Sequence, residues 1–148
     1  MSMSKFDFLD RADAGRQMFE NFGKKILNCD LIVVVQPAAS EIAFAFASET
    51  AIPMRDLMIS RTAAGVVIPR ITQVADLRIA VLDDGVETGT TAMAIGAMLK
   101  TEGATSTALM VPICPRSLVP QLLQVYDAVD FVVAPDAPSS LTRHYEVN

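Results

Sequence analysis

Two adjacent acids, Asp83 and Asp84, end an apolar run at residues 79–82. After two spacers come Glu87, Thr88, Gly89, Thr90 and Thr91. Carboxylates grouped in this way accept hydrogen bonds from vicinal sugar hydroxyls, or hold Mg²⁺, a hard cation that takes oxygen ligands. The threonine-rich stretch leads into a helical pattern. Successive backbone amides at a helix N-terminus make an anion nest, and the helix dipole adds partial positive charge. Threonine hydroxyls add donors, and Gly89 allows the backbone close to a ligand. One stretch thus offers a diol or metal site and a phosphate cradle a short distance apart. A ribose 5-phosphate has those two features at that separation.

Other motifs of nucleotide or acyl chemistry are missing. A Walker A loop needs two glycines five positions apart and a following lysine, but Gly85 and Gly89 are too close and no lysine follows. There is no G-x-G-x-x-G and no G-x-S-x-G nucleophile elbow. A phosphoacceptor receiver domain also places acids at a strand end, but it wants a lysine at a later strand end. The only lysine after residue 25 is Lys100, at a helix end.

The acids need a strand end to position them, and the rest of the chain supplies strands. Asp10-Arg11-Ala12-Asp13 predicts a helix start capped by Asp10. Gly15, Met18, Phe19, Phe22 and Ile26 follow helical spacing, with Lys24 and Lys25 placed to meet the negative end of the dipole. Residues 31–35 are a continuous β-branched run, the pattern of a strand covered on both faces. Gln36-Pro37 interrupts it, and residues 40–50 predict a small-residue helix carrying Ile42, Ala45, Phe46 and Glu49. Further strands are expected at 57–60, 79–82, 107–111 and 131–134. Helices are expected at 91–102, closed by Gly103, and at 118–126, with Pro120 in the first turn. Residues 61–77 have no clear helix and leave room for an extra strand at 65–68. Alternating short apolar strands and helices predict an α/β fold in one domain, 1–148. Its core is a mostly parallel sheet of about five strands with helices on both faces. Ligands bind such sheets beyond the carboxyl ends of the strands, where Asp83 and Asp84 fall.

Composition narrows the partners. The chain has 148 residues, 51% of them hydrophobic, enough for a real core. Its formal charge is −5 and its longest basic run is Lys24-Lys25, so no nucleic-acid partner is expected. Cys29 and Cys114 are read as free thiols, and the single His144 gives no zinc-ligand spacing. The first ten residues carry Lys5, Asp7 and Asp10 and lack a long apolar core, so no signal peptide is expected. The apolar runs are too short to span a bilayer, which points to a soluble, cytoplasmic protein.

The run VLDDGVETGTTA resembles the PRPP-binding signature of type I phosphoribosyltransferases: apolar residues, two acids, two spacers, then an acid and a T-G-x-T loop. The segment from Phe8 to Gly15 resembles the F-x-D-R-x-x-A-G opening of one branch of that family. Met110-Val111-Pro112 and Asp130-Phe131-Val132-Val133 are similar to its later strands. The resemblance implies a phosphoribosyltransferase-like fold that binds PRPP or a nucleoside 5′-monophosphate. It implies that Asp83 and Asp84 hold the ribose hydroxyls, often with Mg²⁺, and that Thr88, Gly89, Thr90 and Thr91 bind the 5′-phosphate. Glu87, usually an aspartate in the family, would lie near the reacting base. A basic residue after the second strand, here Arg61, would face pyrophosphate, and a homodimer is common in the class.

The chain departs from the family at two further places. The loop after the first strand, which usually bears glycine and binds pyrophosphate, reads Gln36-Pro37-Ala38-Ala39-Ser40. Ala38, Ala39 and Ser40 still permit close approach ahead of a helix. The segment 62–77 is short and apolar for a lid. Leu141-Thr142-Arg143-His144-Tyr145 is similar to the family's C-terminal aromatic segment. Two functions fit: a phosphoribosyltransferase, or a non-catalytic nucleotide-binding module that has lost the pyrophosphate loop and lid.

Overall fold

A computed structural model describes residues 6–48 and 50–147. Five parallel strands form the central sheet: β1 (Leu31–Gln36), β2 (Met54–Met58), β5 (Arg78–Leu82), β6 (Ser106–Met110) and β7 (Ala128–Asp130), in the order β2-β1-β5-β6-β7. β3 (Ser60–Thr62) and β4 (Gly65–Val67) form a separate antiparallel hairpin. The continuous apolar runs of β1 and β5 are explained by burial on both faces. Ile32, Val34, Ala80 and Leu82 pack with α1 (Arg11–Phe22) and α2 (Ser40–Ala47). Leu31, Val33, Val35, Ile79 and Val81 pack with α3 (Thr90–Thr101) and α4 (Val119–Leu122). Helices therefore cover both faces, as the sequence predicts. Among the described residues no helix is long and apolar enough to cross a membrane.

The sheet register brings Val34 level with Leu82, and Leu82 level with Met110. The ends of β1 and β5 thus lie side by side at the centre of the sheet. From β1 the chain steps outward to β2, then returns to the other side of β1 as β5. This reversal opens a crevice at the strand ends, the usual ligand position in such sheets.

Several boundaries differ from the sequence expectation. Asp10 does cap α1, its Oδ1 accepting from the Asp13 amide at 2.8 Å. But α1 ends at Phe22, and Lys24 and Lys25 fall in a 3₁₀ turn, Gly23–Asn28, rather than in the last α-turn. Lys25 instead pairs with Asp130 at 2.6 Å. The second strand begins three residues before the expected 57, at Met54, and the bend beyond Met58 starts the hairpin that fills part of 61–77. α2 ends at Ala47, and Glu49 lies outside the described residues. The helix expected over 118–126 is a 3₁₀ turn, Arg116–Leu118, followed by the single turn of α4.

The last strand lies at Ala128–Asp130, not at 131–134. Pro112 explains the shift. It has no N–H to donate, so the ladder between β6 and β7 ends there and only a single bridge, Ile113 to Val133, continues it. The two ends of the chain also meet. Phe8 bridges Tyr145, the Asp7 and Phe8 amides donate to the His144 carbonyl, and the Val147 amide donates to Leu9.

Candidate functional site

The crevice is a cleft of about 690 Å³ lined by residues from β1, β3, β4, α1, α3, the loop after β5 and the C-terminal segment, within the volume range of ordinary small-molecule sites. Asp83, Asp84, Glu87, Thr88, Gly89, Thr90, Thr91, Ala38 and Arg61 all line it. Ala39 does not: it is fully buried in the core beneath α2. Ser40 is exposed and its hydroxyl donates to the Gln36 side chain.

Leaving β5, the backbone turns so that both acids reach the cleft. Asp83 Oδ1 accepts from the Asp84 amide at 2.7 Å, which fixes the first carboxylate over the turn. Gly85 then adopts φ +139°, a conformation side chains rarely take, and a Cβ there would meet Leu141 Cδ2 at 2.7 Å. Gly89 has φ +87° and serves as the N-cap of α3. A Cβ on Gly89 would find room, so backbone conformation is what requires glycine there.

Among the described residues no side chain caps α3. Its first amides face the cleft end of a twelve-residue helix and carry the positive pole of the dipole. Thr88 and Thr90 meet hydroxyl to hydroxyl at 3.3 Å beside them. The helix start is pinned from below, where the Tyr126 hydroxyl donates to the Ala92 carbonyl at 2.7 Å.

Arg11, which was not proposed as a site residue from the sequence, joins the cleft with Glu87 and the C-terminal segment. Arg11, the first residue of α1, lines the cleft, stacks 4.6 Å from the Tyr145 ring centroid and lies 3.9 Å from Asp84 Oδ2. The Tyr145 hydroxyl donates to the Asp84 carbonyl at 3.2 Å. Glu87 Oε1 accepts from the Leu141 amide at 2.9 Å. His144 anchors this segment: Nδ1 lies 2.6 Å from the Asp7 carboxylate and Nε2 3.0 Å from the Ser139 hydroxyl. The signal for Arg11 was its place in the Phe8–Gly15 pattern, but nothing local in the sequence connects it with residues 84 and 145. Arg70, by contrast, is engaged outside the cleft, forked onto Glu102, with Nη2 at 3.1 Å.

Burial dominates the electrostatics of the acids. It pushes the Asp83 carboxyl well above the ordinary range, and the neighbouring Asp84 charge adds to this, while Arg61 opposes it. Burial also raises Asp84, against the pull of its hydrogen bonding with Asp83 and of Arg11. Two acids crowded at a dry strand end favour the neutral form until a cation or a set of donors arrives. That need fits Mg²⁺, which is held through one or two carboxylates with ligand oxygens completing its shell. Among the described residues no cluster of three or more metal-ligating side chains occurs.

The fold has known counterparts, although no family model and no curated protein matches the sequence. TT1426 from Thermus thermophilus superimposes with a TM-score of 0.76 at 14% identity, covering 95% of this chain and 91% of that one. The purine phosphoribosyltransferase of Pyrococcus horikoshii is similar at TM-score 0.62 and 20% identity, over 86% of this chain and 87% of that one. A hypoxanthine phosphoribosyltransferase from Staphylococcus aureus is similar at TM-score 0.61 and 14% identity, over 86% and 74%. With its five-stranded parallel sheet and its acids at the end of β5, the chain has the phosphoribosyltransferase-like fold.

Proposed function

We propose that the protein binds PRPP or a nucleoside 5′-monophosphate and transfers the phosphoribosyl group to or from a nitrogenous base. One observation carries the reading: the acidic pair and the uncapped start of α3 open on the same cleft. The amides and hydroxyls of Thr88, Gly89, Thr90 and Thr91 hold the 5′-phosphate. Asp83 and Asp84 accept hydrogen bonds from the ribose hydroxyls. Positive charge grows on the ribose ring as its bond to pyrophosphate breaks, and Glu87, its carboxylate fixed by the Leu141 amide, stabilises that charge or takes a proton from the base. Arg61, on β3, balances charge on the leaving group. Mg²⁺ held at Asp83 and Asp84 would supply further neutralisation of phosphate charge. The setting in this reading is cytoplasmic, with the chain paired as a homodimer.

A second reading, a non-catalytic nucleotide-binding module, is favoured by the loop after β1. Ala39 is buried and Ser40 is turned onto Gln36, so Ala38 is the one residue of the Ala38-Ala39-Ser40 run that faces the cleft. Measuring pyrophosphate release from PRPP with a panel of purine and pyrimidine bases separates the two. Base-dependent release supports transfer. Binding of PRPP without release across the panel selects the module.

A further inference from the structure

Arg11 is held at the cleft in a way that its structural contacts do not explain. α1 and α2 lie side by side and run in the same direction: a Cβ on Gly15 would sit 2.6 Å from the Ile42 carbonyl, and the Phe19 and Phe22 rings pack on Phe46. Both helices therefore start at the cleft. Arg11 stands one turn before Gly15, as Ala38 stands one turn before Ile42, and both line the cavity. The guanidinium is stacked on Tyr145 and its side chain is only 21% exposed. Its nearest carboxylate oxygen, on Asp84, is 3.9 Å away, beyond hydrogen-bond length. Among the described residues, then, a rigid fork of five donors is oriented by stacking and an ion pair but hydrogen-bonded by neither.

Resting on the phosphoribosyl reading above, we infer that Arg11 is a ligand-binding residue that receives a second oxyanion, the diphosphate of PRPP, distinct from the 5′-phosphate. The 5′-phosphate has its own cradle at the start of α3. The loop after β1 has no glycine to bring its backbone against a diphosphate, and it presents Ala38. Arg11 supplies side-chain donors to the same cleft, which Arg61 also lines. Each guanidinium bears on one acid of the pair, Arg11 on Asp84 and Arg61 on Asp83. A diphosphate between them meets two cations, and a planar fork is suited to bridging its oxygens.

The test compares PRPP with ribose 5-phosphate, both with Mg²⁺, by calorimetric titration of the wild-type chain, Arg11→Gln and Arg11→Lys. Ribose 5-phosphate lacks the diphosphate, so its binding also reports that each variant is folded. The expected result is a loss of PRPP affinity of about 10- to 100-fold in Arg11→Gln, with ribose 5-phosphate affinity within about twofold of wild type. Arg11→Lys restores only part of the loss, because an ammonium cannot bridge two oxygens. Equal losses for both ligands would assign Arg11 to the 5′-phosphate or to folding and overturn the inference. So would unchanged PRPP binding. If the wild-type chain binds neither ligand, the phosphoribosyl reading itself fails, and the inference with it.

Discussion

The carboxylate of Glu87 holds the backbone amide of Leu141, 54 residues further along the chain, at 2.9 Å. The contact joins the loop after β5 to the C-terminal segment, so the acid that faces the cleft also builds its wall. Replacing Glu87 with alanine should lower stability by about 1 kcal/mol and expose the Leu141 amide. Hydrogen exchange at that amide checks it: faster exchange confined to residues near 141 is expected, and unchanged protection would deny the tether.

Gly85 faces the same segment. With φ +139° and Leu141 Cδ2 at 2.7 Å from a built Cβ, Gly85→Ala combines backbone strain with a clash. A loss of about 1–3 kcal/mol is expected in a denaturant melt. Gly89→Ala carries the strain without the clash, since its nearest neighbour is at 3.6 Å, and should cost less. Equal losses would mean that Leu141 does not press on the loop.

Tyr145→Phe removes the hydroxyl that donates to the Asp84 carbonyl but keeps the ring under Arg11. Stability should fall by about 1 kcal/mol. Tyr145→Leu also removes the aromatic face, and should add a loss of PRPP affinity that the phenylalanine variant lacks. Identical titrations for the two would show that the stacking does not orient Arg11.

The buried acids give stability a pH dependence of unusual sign. Asp83 and Asp84 have folded pKa values raised by burial, whereas in the unfolded chain they ionise near ~3.9. As pH rises above that value the unfolded state releases protons that the folded state keeps. Stability without ligand therefore falls as pH climbs from about 4 toward the raised folded values. Asp83→Asn should flatten this fall and raise the melting temperature at neutral pH. Parallel curves of melting temperature against pH for the two proteins would contradict it.

Much of the fold was legible because parallel strands buried on both faces must be continuous apolar runs. Residues 31–35 and 79–82 announced β1 and β5 to within a residue. β2 was less legible: its mixed run MRDLM belongs to a sheet edge with little buried. The apolar residues after Asp130 looked more strand-like than β7 itself, and a proline in the neighbouring strand decided otherwise. The acids and the threonine loop could be read as a site because they are contiguous. The contacts of Arg11 and Tyr145 with Asp84 could not be read, although their segments were noted by resemblance: tertiary pairing of the two chain ends brings them to the cleft, and no local spacing encodes that.

In the proposed function, the end of β5 and the start of α3 together hold a ribose phosphate. The decisive measurement is calorimetric titration with PRPP and with a nucleoside 5′-monophosphate, each with Mg²⁺, comparing wild type with Asp84→Asn. Saturable binding to the wild-type chain is expected, with affinity about tenfold or more weaker in Asp84→Asn and no loss of melting temperature. No binding of either ligand at millimolar concentration, or equal affinity in the variant, would contradict it.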